Sequence, residues 1–213
     1  MFRTRRSAPY LVLLALLGFA AAPSVAAGVH TSPEEAAKFI QGLGSQAAPL
    51  LASNDEAAPG KNQQAFKALV RRGFDLDTIG RFALGVSWQS ATPAQREEYL
   101  RLFSTWTANS YAIRLGATKG ASLIVIDAQP IAETDALVHT RIDRPDGESI
   151  EVDLRVHGVD GQMKIVDMLM GGVSMDVTQR EEFASVIQHR GLDGLIGNLR
   201  ARVNNLQAEA GPD

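Results

Sequence analysis

The chain has no cysteine. No disulfide framework or thiolate metal site can support it, and attachment of a lipid through an N-terminal cysteine is excluded. Histidines number only four, at positions 30, 139, 157 and 189, and none are spaced i, i+4 as a helical metal pair requires. Lys and Arg form no block outside the first six residues, and the formal net charge is −3. Nucleic acid is therefore not an expected partner, because phosphate neutralisation needs a basic patch. Walker and dinucleotide glycine fingerprints are also missing, so no nucleotide is expected to bind and the expected cofactor is none.

What is present is apolar. Hydrophobic residues make up 45% of the 213 positions, enough for one domain to fold around a core. The first 27 residues read as a signal peptide that is cleaved on export. Arg3, Arg5 and Arg6 precede the apolar run Leu11 to Ala22, and small residues before Ala26 and Ala27 permit a cut. The run falls short of the ~20 residues that span a bilayer. A single domain is expected over 28–208 with a disordered tail at 209–213, and a bacterial periplasm is the simplest compartment.

Along that domain the hydrophobic period changes once. Thr31-Ser-Pro-Glu-Glu35 carries helix-start signals, and apolar residues recur at Ala36, Phe39, Ile40 and Leu43. A polar loop over Asn54 to Asn62 precedes a helix through Phe66, Leu69 and Val70. Asp75 caps a short helix closed by Gly85, and Thr92-Pro-Ala-Gln95 is a capping box opening a long one to about Gly116. From Ala121 the period falls to two, and Ile150, Val152, Leu154 and Val156 alternate with Glu151, Asp153, Arg155 and His157. Four strands are expected, over Ala121 to Ile126, Ala136 to Ile142, Ile150 to His157 and Gln162 to about Met175. A second capping box, Thr178-Gln-Arg-Glu181, predicts a helix to Gly191 and then a last amphipathic one. Four helices, four strands and two helices specify an α+β fold, with helices packed on one face of a curved four-stranded antiparallel sheet.

Candidate catalytic groups are few. Ser174 follows two glycines, but the run Gly172-Val-Ser-Met-Asp176 lacks the last glycine of a nucleophile elbow, and no histidine pairs with it in the pattern. It reads as a turn or helix-start hydroxyl. Asp167 is the best carboxylate candidate, because an aspartate in an apolar pocket can act as a general base. Strand alternation argues otherwise: if Val166, Met168 and Met170 face the core, Asp167 faces solvent. A small exported pocket enzyme using Asp167 therefore ranks behind a non-catalytic binding protein, and a non-binding adaptor ranks third.

Apart from Met1, every methionine lies between 163 and 175. Methionine lines surfaces that adapt to variable apolar partners, although it also fills gaps in cores. With the aromatic residues of the helical half, the apolar sheet face can enclose a pocket for a lipid. The expected lipid contacts are Phe82, Trp88, Phe103, Trp106 and Tyr111 from the helices, and Val125, Val152, Leu154, Val166, Met168, Met170 and Val173 from the strands. Each methylene moved out of water is worth about 0.8 kcal/mol, so two acyl chains gain on the order of 20 kcal/mol gross.

Two groups of residues carry a resemblance. Phe74-Asp75, Ile79-Gly-Arg81, Leu84-Gly85 and Trp88, followed by Gly172-Val-Ser-Met175, Arg180 and Phe183, resemble the MlaC-type or toluene-tolerance family of periplasmic lipid-binding proteins. The likeness runs from about Phe66 to Leu199. It implies a single lipid-binding domain that shuttles phospholipid between outer and inner membranes, with acyl chains in a deep apolar pocket and the head group outside. Implied partners are an ABC-type lipid transporter complex of the inner membrane and an outer-membrane lipoprotein complex. Thr178 to Ile187 is also similar to the hopanoid-associated HpnM branch. The commoner phospholipid carriers have a tyrosine where this chain has Gln179, which leaves phospholipid and hopanoid as alternative ligands.

Overall fold

The computed structural model describes residues 31–52, 59–116, 120–159 and 161–209. The expected signal peptide and all but the first residue of the expected tail lie outside the described residues. Ser32 caps the first helix, its hydroxyl accepting from the Glu35 N–H at 3.1 Å, and Pro33 takes the first helical position of α1 (Pro33–Ala52). α2 (Pro59–Gly73) leads into α3 (Leu76–Leu84). At that junction the Asp75 carboxylate accepts from the Thr78 N–H at 3.0 Å, capping α3. A single turn, α4 (Ser87–Ser90), precedes α5 (Pro93–Gly116). The Thr92/Gln95 capping box forms as expected: Thr92 N–H donates to Gln95 Oε1 at 3.0 Å and Gln95 N–H to Thr92 Oγ1 at 3.3 Å.

The strands are β1 (Ser122–Pro130), β2 (Asp135–Asp143), β3 (Ser149–Val159), β4 (Gln162–Met170) and a two-residue β5 (Val173–Ser174). They form one antiparallel meander in the order β1-β2-β3-β4-β5. The fifth strand is a difference from the expected four. Gly171 and Gly172 both take positive φ, 57° and 79°, so the expected continuous run to Met175 folds back as a two-residue hairpin turn.

Register explains the sheet's shape and one departure from simple alternation. Pairing slips between Val125 and Asp127 on β1, and on β4, where Arg155 faces Asp167 but Val156 faces Ile165. Such bulges bend a strand and increase its twist. Val166 is the extra residue of the second bulge. Ile165 is consequently buried on the same face as Met168 and Met170, where alternation had assigned Val166.

The last helix, α6 (Met175–Glu209), starts three residues before the expected capping box. Ser174 caps it, its hydroxyl accepting from the Val177 N–H at 3.1 Å. Thr178 lies inside the first turns, donating to the Ser174 carbonyl at 2.9 Å, so the Thr178 capping box does not form. Gly191, at φ 68° and ψ 176°, breaks the helical geometry where two separate helices were expected.

Three apolar clusters hold these layers together. One joins α3, α5 and α6, a second joins α1 to the sheet, and a third joins α2 to α5. Phe74 packs against all three. The backbone fixes it there: Asp75 N–H donates to the Ile165 carbonyl at 2.9 Å, tying the α2–α3 junction to β4.

Candidate functional site

A cavity of about 690 Å³ lies where the three clusters meet. That is within the range of small-molecule sites, ~300–1,000 Å³. Its floor is the concave face of the sheet, with Val152, Leu154, Ile165, Met168 and Met170 pointing inward. Ile40, Leu43, Ala47 and Leu51 of α1 form one wall, with Phe66, Leu69 and Val70 of α2 beside them. Across from these stand Phe103, Trp106, Thr107, Ser110 and Tyr111 of α5. Met175, Asp176, Thr178, Gln179, Glu182 and Arg202 of α6 complete the enclosure.

Aromatic packing fixes the α5 wall. Phe74 and Tyr111 have ring centroids 5.5 Å apart, while Phe103 and Trp106 are 6.1 Å apart and both meet Phe183 of α6. Gly80 brings α3 against this helix. A Cβ there would lie 2.9 Å from Phe103 Cδ1, and the buried Tyr99 hydroxyl donates to the Gly80 carbonyl at 2.8 Å. Burial pushes the Tyr99 phenol well above its usual range, so it stays neutral.

Of the residues expected to contact lipid, the structure brings seven to the cavity: Phe103, Trp106, Tyr111, Val152, Leu154, Met168 and Met170. The other five lie elsewhere, each for a visible reason. Phe82 is 41% exposed on the outer side of α3, under the Arg180 guanidinium at 5.3 Å. Trp88 is held between Arg81 and Arg96, at 5.3 and 5.1 Å, and Arg96 Nε also donates to its carbonyl at 2.9 Å. These are cation–π clamps on the helical layer. Val125 packs in the α1–sheet cluster away from the cavity, and Val166 is displaced by the β4 bulge. Val173 is 56% exposed in β5.

Sequence reasoning missed the α1 and α2 wall, because an apolar stripe does not reveal whether it meets protein or empty space. It also missed Asp176. Only 9% of this residue is exposed, and it lines the cavity. Burial, reinforced by the nearby Asp167 carboxylate and opposed by Arg155, pushes its carboxyl up to about 8. Asp167 itself is not on the cavity wall. It lies opposite Arg155, with Oδ1 accepting from the N–H groups of Met168 at 2.7 Å and Asp176 at 3.3 Å.

On the convex face, Asp135 receives Arg155 Nε at 2.9 Å and is also bound by His157. Burial alone would raise the Asp135 carboxyl, but the hydrogen bonds and charges of Arg155 and His157 outweigh it and hold the group below the ordinary range. His139 Nδ1 pairs with Asp153 at 2.7 Å. Among the described residues no group of three or more acidic or histidine side chains could hold a metal ion, and no helix is long and apolar enough to cross a membrane.

Known proteins share this arrangement. A phospholipid-binding protein from Ralstonia solanacearum, solved in complex with a phospholipid, has the same fold with a TM-score of 0.69. The two are 25% identical in sequence, and the match covers 80% of this chain and 98% of that one. Residues 47–201, more than half of the chain, match the family model described as MlaC protein. The chain therefore belongs to the MlaC family.

Proposed function

We propose that the protein is a periplasmic carrier that holds the acyl chains of a phospholipid in the 690 Å³ cavity and moves the lipid between outer and inner membranes. The observation that carries this reading is the cavity wall, where aliphatic, aromatic and methionine side chains meet from the sheet and from five helices. At about 0.8 kcal/mol per buried methylene, such a wall can retain a lipid without any charged partner for its head group. Family membership and the phospholipid in the related Ralstonia protein support the same ligand class. A lipid transporter of the inner membrane and a lipoprotein complex of the outer membrane would supply and receive the cargo. Export would use residues 1–27 as a cleaved signal. Lipid contacts are assigned to the seven predicted residues on the wall, joined by Phe74, Phe66 and Ile165.

The placement of Gln179 favours a second reading for the cargo. This residue, which departs from the tyrosine of the commoner phospholipid carriers, lines the cavity. A hopanoid, with its rigid rings, is accordingly the alternative ligand. Asp167 lies off the wall, which removes the motive for assigning it a catalytic role.

Native mass spectrometry of the protein purified from its host tests the proposal. A co-purifying phospholipid is the expected result, and a polycyclic triterpenoid would move the assignment to the second reading. Protein that carries no lipid and takes up none from vesicles would overturn both.

A further inference from the structure

Among the described residues, one hydroxyl on the cavity wall is both fully buried and without a hydrogen-bond partner. Thr107 is 5% exposed, it lines the cavity, and its Oγ1 makes no hydrogen bond among the described residues. A threonine in a helix ordinarily satisfies itself by donating to the carbonyl four residues earlier. Thr105, two positions before it in the same helix, does so, bonding the Arg101 carbonyl at 2.8 Å. Thr107 instead holds a donor and acceptor idle in a largely apolar enclosure, an arrangement that disfavours folding unless something else pairs with it.

Its position along α5 indicates what that partner is. One turn before it, Phe103 is fully buried among aromatic rings. One turn after it, Ser110 and Tyr111 are half-buried on the same wall. Thr107 thus stands between the fully buried aromatic cluster at Phe103 and the half-buried end of the α5 wall, where the Ser110 and Tyr111 hydroxyls begin. A lipid held chains-inward and head-outward places its first oxygens at that boundary.

We propose that the Thr107 hydroxyl is a specificity-determining contact that hydrogen-bonds an oxygen at the junction between the lipid's apolar body and its head group. This rests on the lipid-carrier reading and names which part of the lipid is recognised by hydrogen bonding. The oxygen is the ester carbonyl of a glycerophospholipid or the hydroxyl of a polycyclic triterpene alcohol. Bare hydrocarbon lacks any such oxygen, and ether-linked chains lack the carbonyl and keep only a weaker ether acceptor. A site that leaves its own polar atom unpaired discriminates strongly against a ligand lacking the partner.

Competitive loading followed by native mass spectrometry tests it. Delipidated full-length mature protein is offered equal amounts of dipalmitoyl phosphatidylglycerol and its dihexadecyl ether counterpart. In parallel it is offered a triterpene alcohol and the corresponding hydrocarbon. Wild type is expected to prefer the carbonyl-bearing or the hydroxyl-bearing member of at least one pair by about tenfold. Thr107→Val should bring that ratio close to one, while Thr107→Ser, which keeps the hydroxyl, should preserve most of it. The pair that responds identifies the oxygen as carbonyl or alcohol. Thermal melts of the three proteins exclude misfolding, and Thr107→Val should melt no lower than wild type because it removes an unpaired buried group. Equal ratios in wild type and Thr107→Val, or equal losses of both members of a pair, would overturn the assignment and leave the carrier reading standing. Failure of wild type to load any of the four lipids would overturn the carrier reading, and this contact with it.

Discussion

Two aspartates, both nearly buried, respond to pH in opposite directions. Asp176 holds a proton at neutral pH because its carboxyl is raised to about 8. Its place in the first turn of α6 favours the anion by only about 0.3–1 kcal/mol, too little to reverse the effect of burial. Between the unfolded value near 3.8 and the folded value near 8, the folded state binds a proton that the unfolded state has released. Stability therefore falls as pH rises through that window. Asp176→Asn should remove this slope and stabilise the protein at pH 8 by on the order of 2 kcal/mol. Urea denaturation of both proteins at several pH values checks it, and parallel curves would refute it. Asp135 behaves in the opposite sense, since its lowered carboxyl stabilises the fold above the unfolded pKa and loses that contribution as pH falls. Asp135→Ala should cost about 2 kcal/mol at neutral pH. This is below the ~3–5 kcal/mol of a fully buried pair because Arg155 and His157 are exposed enough to recover water. A Tm unchanged by Asp135→Ala would show the convex network to be ornamental.

At the scale of elements, two glycines hold the helical layer in place for different reasons. Gly80 is in a helix and matters for space: an added Cβ would meet Phe103 at 2.9 Å and Leu100 at 3.0 Å. Phe103 is itself locked in the aromatic cluster, so Gly80→Ala is expected to cost about 1–3 kcal/mol by overpacking. Because Phe103 also lines the cavity, that variant should alter lipid loading as well as stability. Gly191 has open space around it, and its requirement is the backbone, at φ 68° and ψ 176°. Gly191→Ala should cost about 2 kcal/mol through strain alone and leave lipid loading unchanged. Measuring Tm and bound lipid for both variants separates the two mechanisms. Identical lipid losses would mean that the kink also shapes the cavity.

The whole molecule is organised around a void, which is costly for a protein to keep empty. Packing that encloses about 690 Å³ forgoes the contacts a filled core would make, so ligand binding should stabilise the fold. Delipidated protein is expected to melt at a lower temperature than protein as purified, with recovery when lipid is restored. Met168→Trp or Val152→Trp tests the same point from the opposite side. Each adds an indole to the floor of the cavity, and each should exclude lipid while leaving the melt of the delipidated protein unchanged or raised. An adaptor that needed no ligand would lose nothing in these variants.

Much of this was readable in the sequence, because it depends on neighbours along the chain. The helix starts at Ser32-Pro33, Asp75 and Thr92 follow from local hydrogen-bonding chemistry, and the alternation over Ile150 to Val156 follows from the pleat. The Phe74-Asp75 and Gly172-to-Met175 motifs carried the family resemblance for the same reason. Other features required the assembled molecule. The β4 bulge moved Val166 off the floor and put Ile165 there, a register decision made by β3 rather than by β4 alone. Phe82 and Trp88 look like any other apolar wall residues until Arg180, Arg81 and Arg96 are seen covering them. Asp176 became a neutral acid, and Thr107 an unpaired hydroxyl, only because distant elements removed their water. Local geometry is set by the adjacent residues, whereas burial and empty space are set by what packs from elsewhere in the chain. The sequence by itself therefore determined most of the elements and carried the family resemblance, and the tertiary structure decided the fold-back at β5, the start of α6 and which side chains face the cavity.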